Sequence, residues 1–194
     1  MALTDEDFMT IKELGEKWPY EWVSTRGLAP YIRRLGDDVV GIEIGTCRAE
    51  STAFLLEKCP NIKKIYTVDP YKGYDDWNGE ITQETVDKFM KIAKANLKPY
   101  GKRFEMVRQE SVNAADKFDD ESYDFIFVDG DHSYDATLAD CIRYYPKLKK
   151  GGLFCGHDYS SIEDVKRAVT DFRDKRGITA PINLSTNSAF FWYK

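Results

Sequence analysis

Asp129-Gly130-Asp131-His132 follows directly on the apolar run Phe125-Ile126-Phe127-Val128, and His157-Asp158 follows a second one, Leu153-Phe154-Cys155. These are the only two histidines of the chain, and each stands beside an aspartate just past a predicted strand. A core explains the buried Phe, Ile and Val, whereas a tight turn crowded with ionisable groups at a strand's end has little structural use and reads as a working site. Two earlier strand ends add to it. Glu43-Ile44-Gly45-Thr46-Cys47-Arg48-Ala49-Glu50-Ser51 offers a glycine turn and then a helix start, where unsatisfied N–H groups can meet a ligand. Asp69 comes roughly twenty residues later, where an acidic side chain can take both hydroxyls of a ribose. Glu43 capping a helix and Asp69 as an ordinary turn aspartate are alternative readings taken singly, but together they need a coincidence at successive strand ends. GxxxxGK[ST] and GxGxxG are both absent, so a nucleoside without a pyrophosphate fits this edge better than a phosphate cradle or a dinucleotide.

The elements that must position these residues alternate. Leu28, Tyr31, Ile32 and Leu35 have helical spacing, then 39–44 reads as a strand, 47–58 as a turn and helix, and 64–68 as a second strand. Val86, Phe89, Met90, Ala93 and Leu97 mark an amphipathic helix ending near Pro99 and Gly101, with a third strand over 104–107 and a fourth over 125–128. Leu138, Cys141, Ile142 and Tyr145 form another helix face, followed by a fifth strand over 153–155. Ser161-Ile162-Glu163-Asp164 resembles a capping box before a helix that Gly177 closes. The runs 182–184 and 189–193 are too closely spaced for a parallel crossover and suit an antiparallel hairpin. A Rossmann-like α/β fold is expected, with a mostly parallel sheet, helices on both faces and a C-terminal hairpin. Pro70 to Glu80 has no clear period, and its Tyr71, Tyr74 and Trp77 suggest a lid or substrate wall. Residues 1–27, with Trp18 and Trp22, suggest an N-terminal helical cover.

At 194 residues one domain is expected, spanning 1–194. The four cysteines, Cys47, Cys59, Cys141 and Cys155, form no CxxC pair and read as reduced, mostly buried thiols. A net charge of −5 argues against sequence-independent binding to nucleic acid. An acidic start with no apolar stretch behind it gives neither a secretory signal nor a membrane span, so a cytoplasmic protein is the default expectation. A homo-oligomer is compatible with the sequence but not legible in it.

Glu43-x-Gly45, Asp69, Glu110-Ser111, Val128-Asp-Gly-Asp-His-Ser-Tyr134 and Gly151-Gly152 followed by His157-Asp158-Tyr159 together resemble the class I S-adenosylmethionine-dependent methyltransferases. Within that class the chain is similar to the small O-methyltransferases related to macrocin O-methyltransferase and, more distantly, catechol O-methyltransferase. The resemblance implies a seven-stranded sheet and a small-molecule acceptor such as a sugar, polyketide or phenol, methylated on a hydroxyl. It also implies S-adenosyl-L-methionine contacts from Glu43, Gly45, Thr46, Cys47, Ser51, Asp69, Pro70, Glu110, Ser111, Asp129 and His132. Many relatives have glycine where this chain has Cys47 and Ala49. Asp129, Asp158 and the adjacent His157 match metal-bearing positions, with Mg²⁺ the expected ion, although a coordinating imidazole would favour a transition metal. Asp131 and His132 are the candidate bases: His132 has the more suitable unperturbed pKa, and Asp131 lies where the macrocin-type relatives place an acidic base. A metal-independent N- or O-methyltransferase and a non-catalytic nucleoside-binding module are the competing expectations.

Overall fold

The computed structural model describes residues 9–10, 12–13, 23–76 and 79–194. Trp18, Trp22 and Trp77 lie outside the described residues, and so does most of the expected N-terminal cover. The elements are α1 (Ala29–Ile32), β1 (Val39–Ile44), α2 (Glu50–Lys58), β2 (Ile62–Val68), β3 (Tyr74–Asp76), β4 (Gly79–Ile81), α3 (Gln83–Leu97) and β5 (Phe104–Val107). They continue with α4 (Ser111–Ala114), β6 (Tyr123–Val128), α5 (Tyr134–Tyr144), β7 (Leu148–Gly156), α6 (Glu163–Arg176), β8 (Asn183–Leu184) and β9 (Phe190–Tyr193).

The main sheet has seven strands in the order β5-β2-β1-β6-β7-β9-β8. The first five are parallel, and β9 runs antiparallel to both β7 and β8. Strand alternation divides the core between the two faces. Phe125 and Phe127 of β6 face the layer of α1, α2 and α3 with Ala53, Leu55 and Leu97, while Ile126 and Val128 face α5 and α6 with Cys141, Val169 and Phe172. Burying each such side chain contributes about 1.5–3 kcal/mol, so both faces must be covered and the strands read as continuous apolar runs.

From β1 the chain builds outward to β2 and β5, then returns to place β6 on the other side of β1. That reversal opens a crevice at the carboxyl ends of β1 and β6. The register Ile44↔Val128 sets residues 45 and 129 side by side there.

Three expectations change. Ser161 does not cap α6: the residue before that helix is Ile162, without a side-chain cap bond, and the Ser161 hydroxyl donates instead to Asp158 Oδ1 at 2.6 Å. The 70–80 segment contains an antiparallel pair, Tyr74↔Ile81 and Asp75↔Glu80, which local periodicity over three-residue strands cannot reveal. Strand β7 starts at Leu148, ahead of Gly151-Gly152, because Leu148 pairs with Tyr123 across a register irregularity. Gly177, left-handed at φ +64°, does end α6. Cys59, Cys141 and Cys155 are buried, Cys47 is exposed and all are free thiols. No helix among the described residues is long and apolar enough to cross a membrane.

Candidate active site

The turn after β1 is shaped by what lies across the crevice. Gly45 has φ +88°, and a Cβ there would lie 1.9 Å from the Asp129 carbonyl oxygen, so only glycine lets the two strand-end turns touch. Cys47 (φ +45°) and Ala49 (φ +60°) are left-handed as well. The turn thus keeps a glycine-like path without the later glycines, at a cost of about 1–2 kcal/mol per residue.

Asp69 holds this turn in place. Its Oδ2 accepts from the Thr46 and Cys47 N–H groups at 3.1 and 2.9 Å, and its Oδ1 from the Tyr71 N–H at 2.7 Å. The carboxylate expected at a ribose therefore also organises the loops after β1 and β2. Tyr71, expected in a substrate wall, is only 2% exposed, and its hydroxyl donates to the Cys47 carbonyl at 3.0 Å. The Pro70 carbonyl accepts from Arg108 Nε at 3.4 Å. Glu43 is 2% exposed and accepts a hydrogen bond from the Thr52 hydroxyl on α2. Burial raises its carboxyl pKa to about 8; the Thr52 bond opposes the rise, and the charges of Asp129, Glu50 and Asp69 add to it.

Beside β5, Glu110 is exposed and immediately precedes α4. Ser111 is held from α5, because the Tyr144 hydroxyl donates to its carbonyl at 2.7 Å. One helical turn earlier, Asp140 is 2% exposed, and its Oδ1 has no hydrogen-bond partner among the described residues. Burial raises the Asp140 pKa to about 7 against the Ser111 hydroxyl, with the Asp131 charge adding to the rise. Sequence reasoning missed Asp140, because a single aspartate within an amphipathic helix carries no local signal.

The ends of β6 and β7 converge more tightly. His132 Nε2 lies 3.1 Å from Asp158 Oδ2 and 3.7 Å from Asp129 Oδ1. His157 Nδ1 reaches the same two oxygens at 3.0 and 3.6 Å. Burial works to lower the His132 pKa, but Asp129 and Asp158 together outweigh it and raise the pKa to about 10. The His157 pKa is raised too: burial opposes this and Asp158 dominates it. Asp158, in left-handed backbone at φ +61°, has its pKa held well below the usual carboxylate range: the bonds from His132, His157 and Ser161 overcome the opposing effect of burial.

Two hydroxyls from outside these turns complete the group. Ser24 Oγ donates to Asp129 Oδ2 at 3.2 Å and shares a 2.7 Å hydrogen bond with Ser51 Oγ, while Ser161 holds the far oxygen of Asp158. Ser24 was not legible in the sequence. Asp131 stands apart from the cluster: it is exposed, and its Oδ1 accepts from the Ser133 N–H at 2.8 Å where α5 begins. Donor atoms of Asp129, His132 and Asp158 all lie within 4.8 Å of one another, a set of two hard oxygens and one imidazole that suits a divalent metal.

Strand order, the crevice at the switch point and the glycine turn with its acidic partner define a class I S-adenosylmethionine-dependent methyltransferase fold. Residues 42–159 match the methyltransferase-domain family, more than half of the chain, and this protein belongs to that family. Among solved structures, the O-methyltransferase NovP is similar with a TM-score of 0.64 and 17% identity, covering 86% of this chain and 79% of that one. An O-methyltransferase from Bacillus cereus in complex with SAH gives 0.61 and 17%, covering 100% of this chain and 93% of that one. Spermidine synthase from Thermotoga maritima also reaches 0.61, at 16% identity, covering 90% and 59%. These likenesses are of fold, which different chemistries share. A protein of Acanthamoeba polyphaga mimivirus described as uncharacterized is 27% identical over 130 residues, which is 63% of this chain. The chain spans about half the length of that curated relative, 52%.

Proposed function

We propose that this protein transfers a methyl group from S-adenosylmethionine to a hydroxyl of a small molecule such as a sugar, polyketide or phenol, with a divalent cation at Asp129, His132 and Asp158. The observation that carries the reading is the Gly45–Asp129 contact, which presses the candidate cofactor turn against the turn where the ionisable side chains converge. A donor bound at the first turn and an acceptor held at the second would be neighbours, as an in-line displacement requires.

S-adenosylmethionine, when bound, supplies an electrophilic methyl group on a sulfonium. The turn from Gly45 to Ala49, with Asp69 and Pro70 on one side and Glu110 and Ser111 on the other, would cradle its nucleoside and amino-acid ends. A divalent cation, when bound, supplies Lewis acidity that makes a nearby hydroxyl easier to deprotonate. With His132 Nε2 engaged by two aspartates, Asp131 is the proposed base: it is exposed, one residue away, and oriented by the Ser133 N–H.

A second reading drops the metal. His132 already bridges Asp158 and Asp129 at 3.1 and 3.7 Å, an arrangement that can balance the carboxylates without a cation. Calorimetric titration with S-adenosylmethionine, S-adenosylhomocysteine and NAD, followed by turnover on a hydroxyl-bearing acceptor panel with and without EDTA, tests both. Binding of the sulfur nucleosides but not NAD, with EDTA-sensitive methylation, is expected. EDTA-insensitive turnover would select the metal-free reading, and folded protein that binds neither sulfur nucleoside would overturn the function.

A further inference from the structure

We propose that the ion at this site is a transition dication of the Mn²⁺, Fe²⁺, Co²⁺ or Zn²⁺ class, with His132 as a direct ligand beside Asp129 and Asp158, in preference to Mg²⁺. This deepens the methyl-transfer reading above and rests on it.

Each carboxylate has one oxygen tied away by a serine. Asp129 Oδ2 accepts from Ser24 Oγ at 3.2 Å, and Asp158 Oδ1 accepts from Ser161 Oγ at 2.6 Å. The other oxygens, Asp129 Oδ1 and Asp158 Oδ2, are turned to the same imidazole nitrogen, His132 Nε2, at 3.7 and 3.1 Å. Ligand atoms sharing a small cation at bond lengths of about 2.0–2.2 Å sit roughly 3–3.5 Å apart, so these separations need only a slight contraction to close on an ion. The serine bonds favour one oxygen per carboxylate. That works against the larger Ca²⁺, which takes many oxygens and often bidentate carboxylates.

The imidazole makes the choice between the remaining ions. Mg²⁺ dehydrates reluctantly and prefers an octahedron of oxygens, whereas neutral imidazole is a good ligand for Zn²⁺, Fe²⁺ and Co²⁺, and carboxylates suit Mn²⁺. His157 Nδ1 meets the same two oxygens, Asp158 Oδ2 at 3.0 Å and Asp129 Oδ1 at 3.6 Å; this imidazole, next to Asp158 in the chain, takes the part of orienting that carboxylate, a division the variants below test. The hydroxyls of Ser24 and Ser161 serve the same end, since outer-shell partners that fix a ligand's direction are part of a metal site. His132 is thereby moved from proton transfer to ligation, and His157 from ligation to support.

The test uses the full chain and Mn²⁺ as the probe. Mn²⁺ binding is followed by loss of the free-ion paramagnetic resonance signal, Mg²⁺ and Zn²⁺ are used as competitors, and pulsed resonance looks for a directly bound ¹⁴N. The expected result is a ¹⁴N coupling in the wild type and at least about tenfold weaker competition by Mg²⁺ than by Zn²⁺. His132→Gln should remove the coupling, His157→Gln should retain it, and Ser24→Ala should weaken Mn²⁺ binding roughly tenfold. Near-ultraviolet circular dichroism checks that each variant is folded, and His132→Asn serves as a second substitution.

Loss of the coupling in His157→Gln but not His132→Gln would overturn the ligand assignment. Equal competition by Mg²⁺, or no bound Mn²⁺ in folded wild type, would overturn the choice of ion. Titration of S-adenosylhomocysteine on the same sample separates the two failures. Nucleoside binding without Mn²⁺ binding sinks this inference alone, and a ¹⁴N-coupled Mn²⁺ without nucleoside binding sinks the methyl-transfer reading alone.

Discussion

The two turns that meet at the switch point are built on opposite principles. On the β1–β2 side the charged group is neutralised by backbone: three N–H groups, of Thr46, Cys47 and Tyr71, are spent on Asp69, and the loop is complete in itself. On the β6–β7 side Asp129, Asp158, His132 and His157 face one another, and the serines tie down only the outward oxygens. A pre-organised backbone loop loses little entropy when it receives a nucleoside. A convergent set of ionisable side chains instead depends on which cation or proton is shared among them. The first turn is thus built for shape and the second for charge, and a single glycine contact joins them.

The largest expected effect separates the two sides by substitution. Asp129→Ala should lower the rate of methyl transfer at saturating cofactor by roughly 10²–10⁴-fold while leaving S-adenosylhomocysteine affinity within a fewfold. Asp69→Ala should do the reverse, weakening nucleoside binding at least about tenfold through loss of loop order. Calorimetry beside steady-state rates reads both, and matching losses in the two variants would break the division.

A smaller effect concerns pH, and it falls on Glu43 and Asp140 behind the two turns. Both folded-state pKa values are raised, to about 8 from 4.5 and to about 7 from 3.8. Each group binds its proton more tightly in the folded chain, so its stabilising effect is full below about pH 4 and is lost as the pH rises through 7 and 8. The slope reaches about 1.4 kcal/mol per pH unit for each fully buried group. Urea unfolding of the metal-free, nucleoside-free protein between about pH 5 and 5.8 should therefore show falling stability, in a range below the 6.5 midpoint at which His132 and His157 titrate in the unfolded chain. Asp140→Asn should flatten the slope; an unchanged slope would mean that Asp140 is ionised in the fold.

The smallest effect tests how much strain the first turn stores. Cys47→Gly and Ala49→Gly each remove a left-handed non-glycine residue but loosen the unfolded chain, so a net gain of about 0.5–1 kcal/mol is expected. Thermal unfolding measures it. A loss of stability in both variants would show that these side chains contribute more through packing than they cost in backbone strain.

Much of this was legible locally. The runs 39–44 and 125–128 reappear in β1 and β6 because central strands covered on both faces are mostly apolar, and 104–107 reappears in the partly exposed edge strand β5. Gly45, Asp69, Asp129 and Asp158 stood out because ligands of such sheets gather at strand ends. Local patterns failed where a side chain had two uses. Ser161 has the spacing of a helix cap, yet its hydroxyl donates to Asp158, since the fold brings a charged carboxylate, a strong acceptor, within its reach. Tyr71 reads as a sticky loop residue but is buried under the first turn.

The sequence by itself determined the fold class and the address of the site, because apolar periodicity sets the strands and their ends mark where ionisable residues emerge. Only the tertiary structure decided who meets whom. Ser24 reaches Asp129 across 105 positions of chain, His132 and His157 from different strand ends both meet Asp129 and Asp158, and Asp140 is left, among the described residues, with an unpaired oxygen behind Ser111. The physical reason is that strand order, not sequence distance, selects neighbours: placing β6 beside β1 brings these groups together, and no local pattern encodes that pairing.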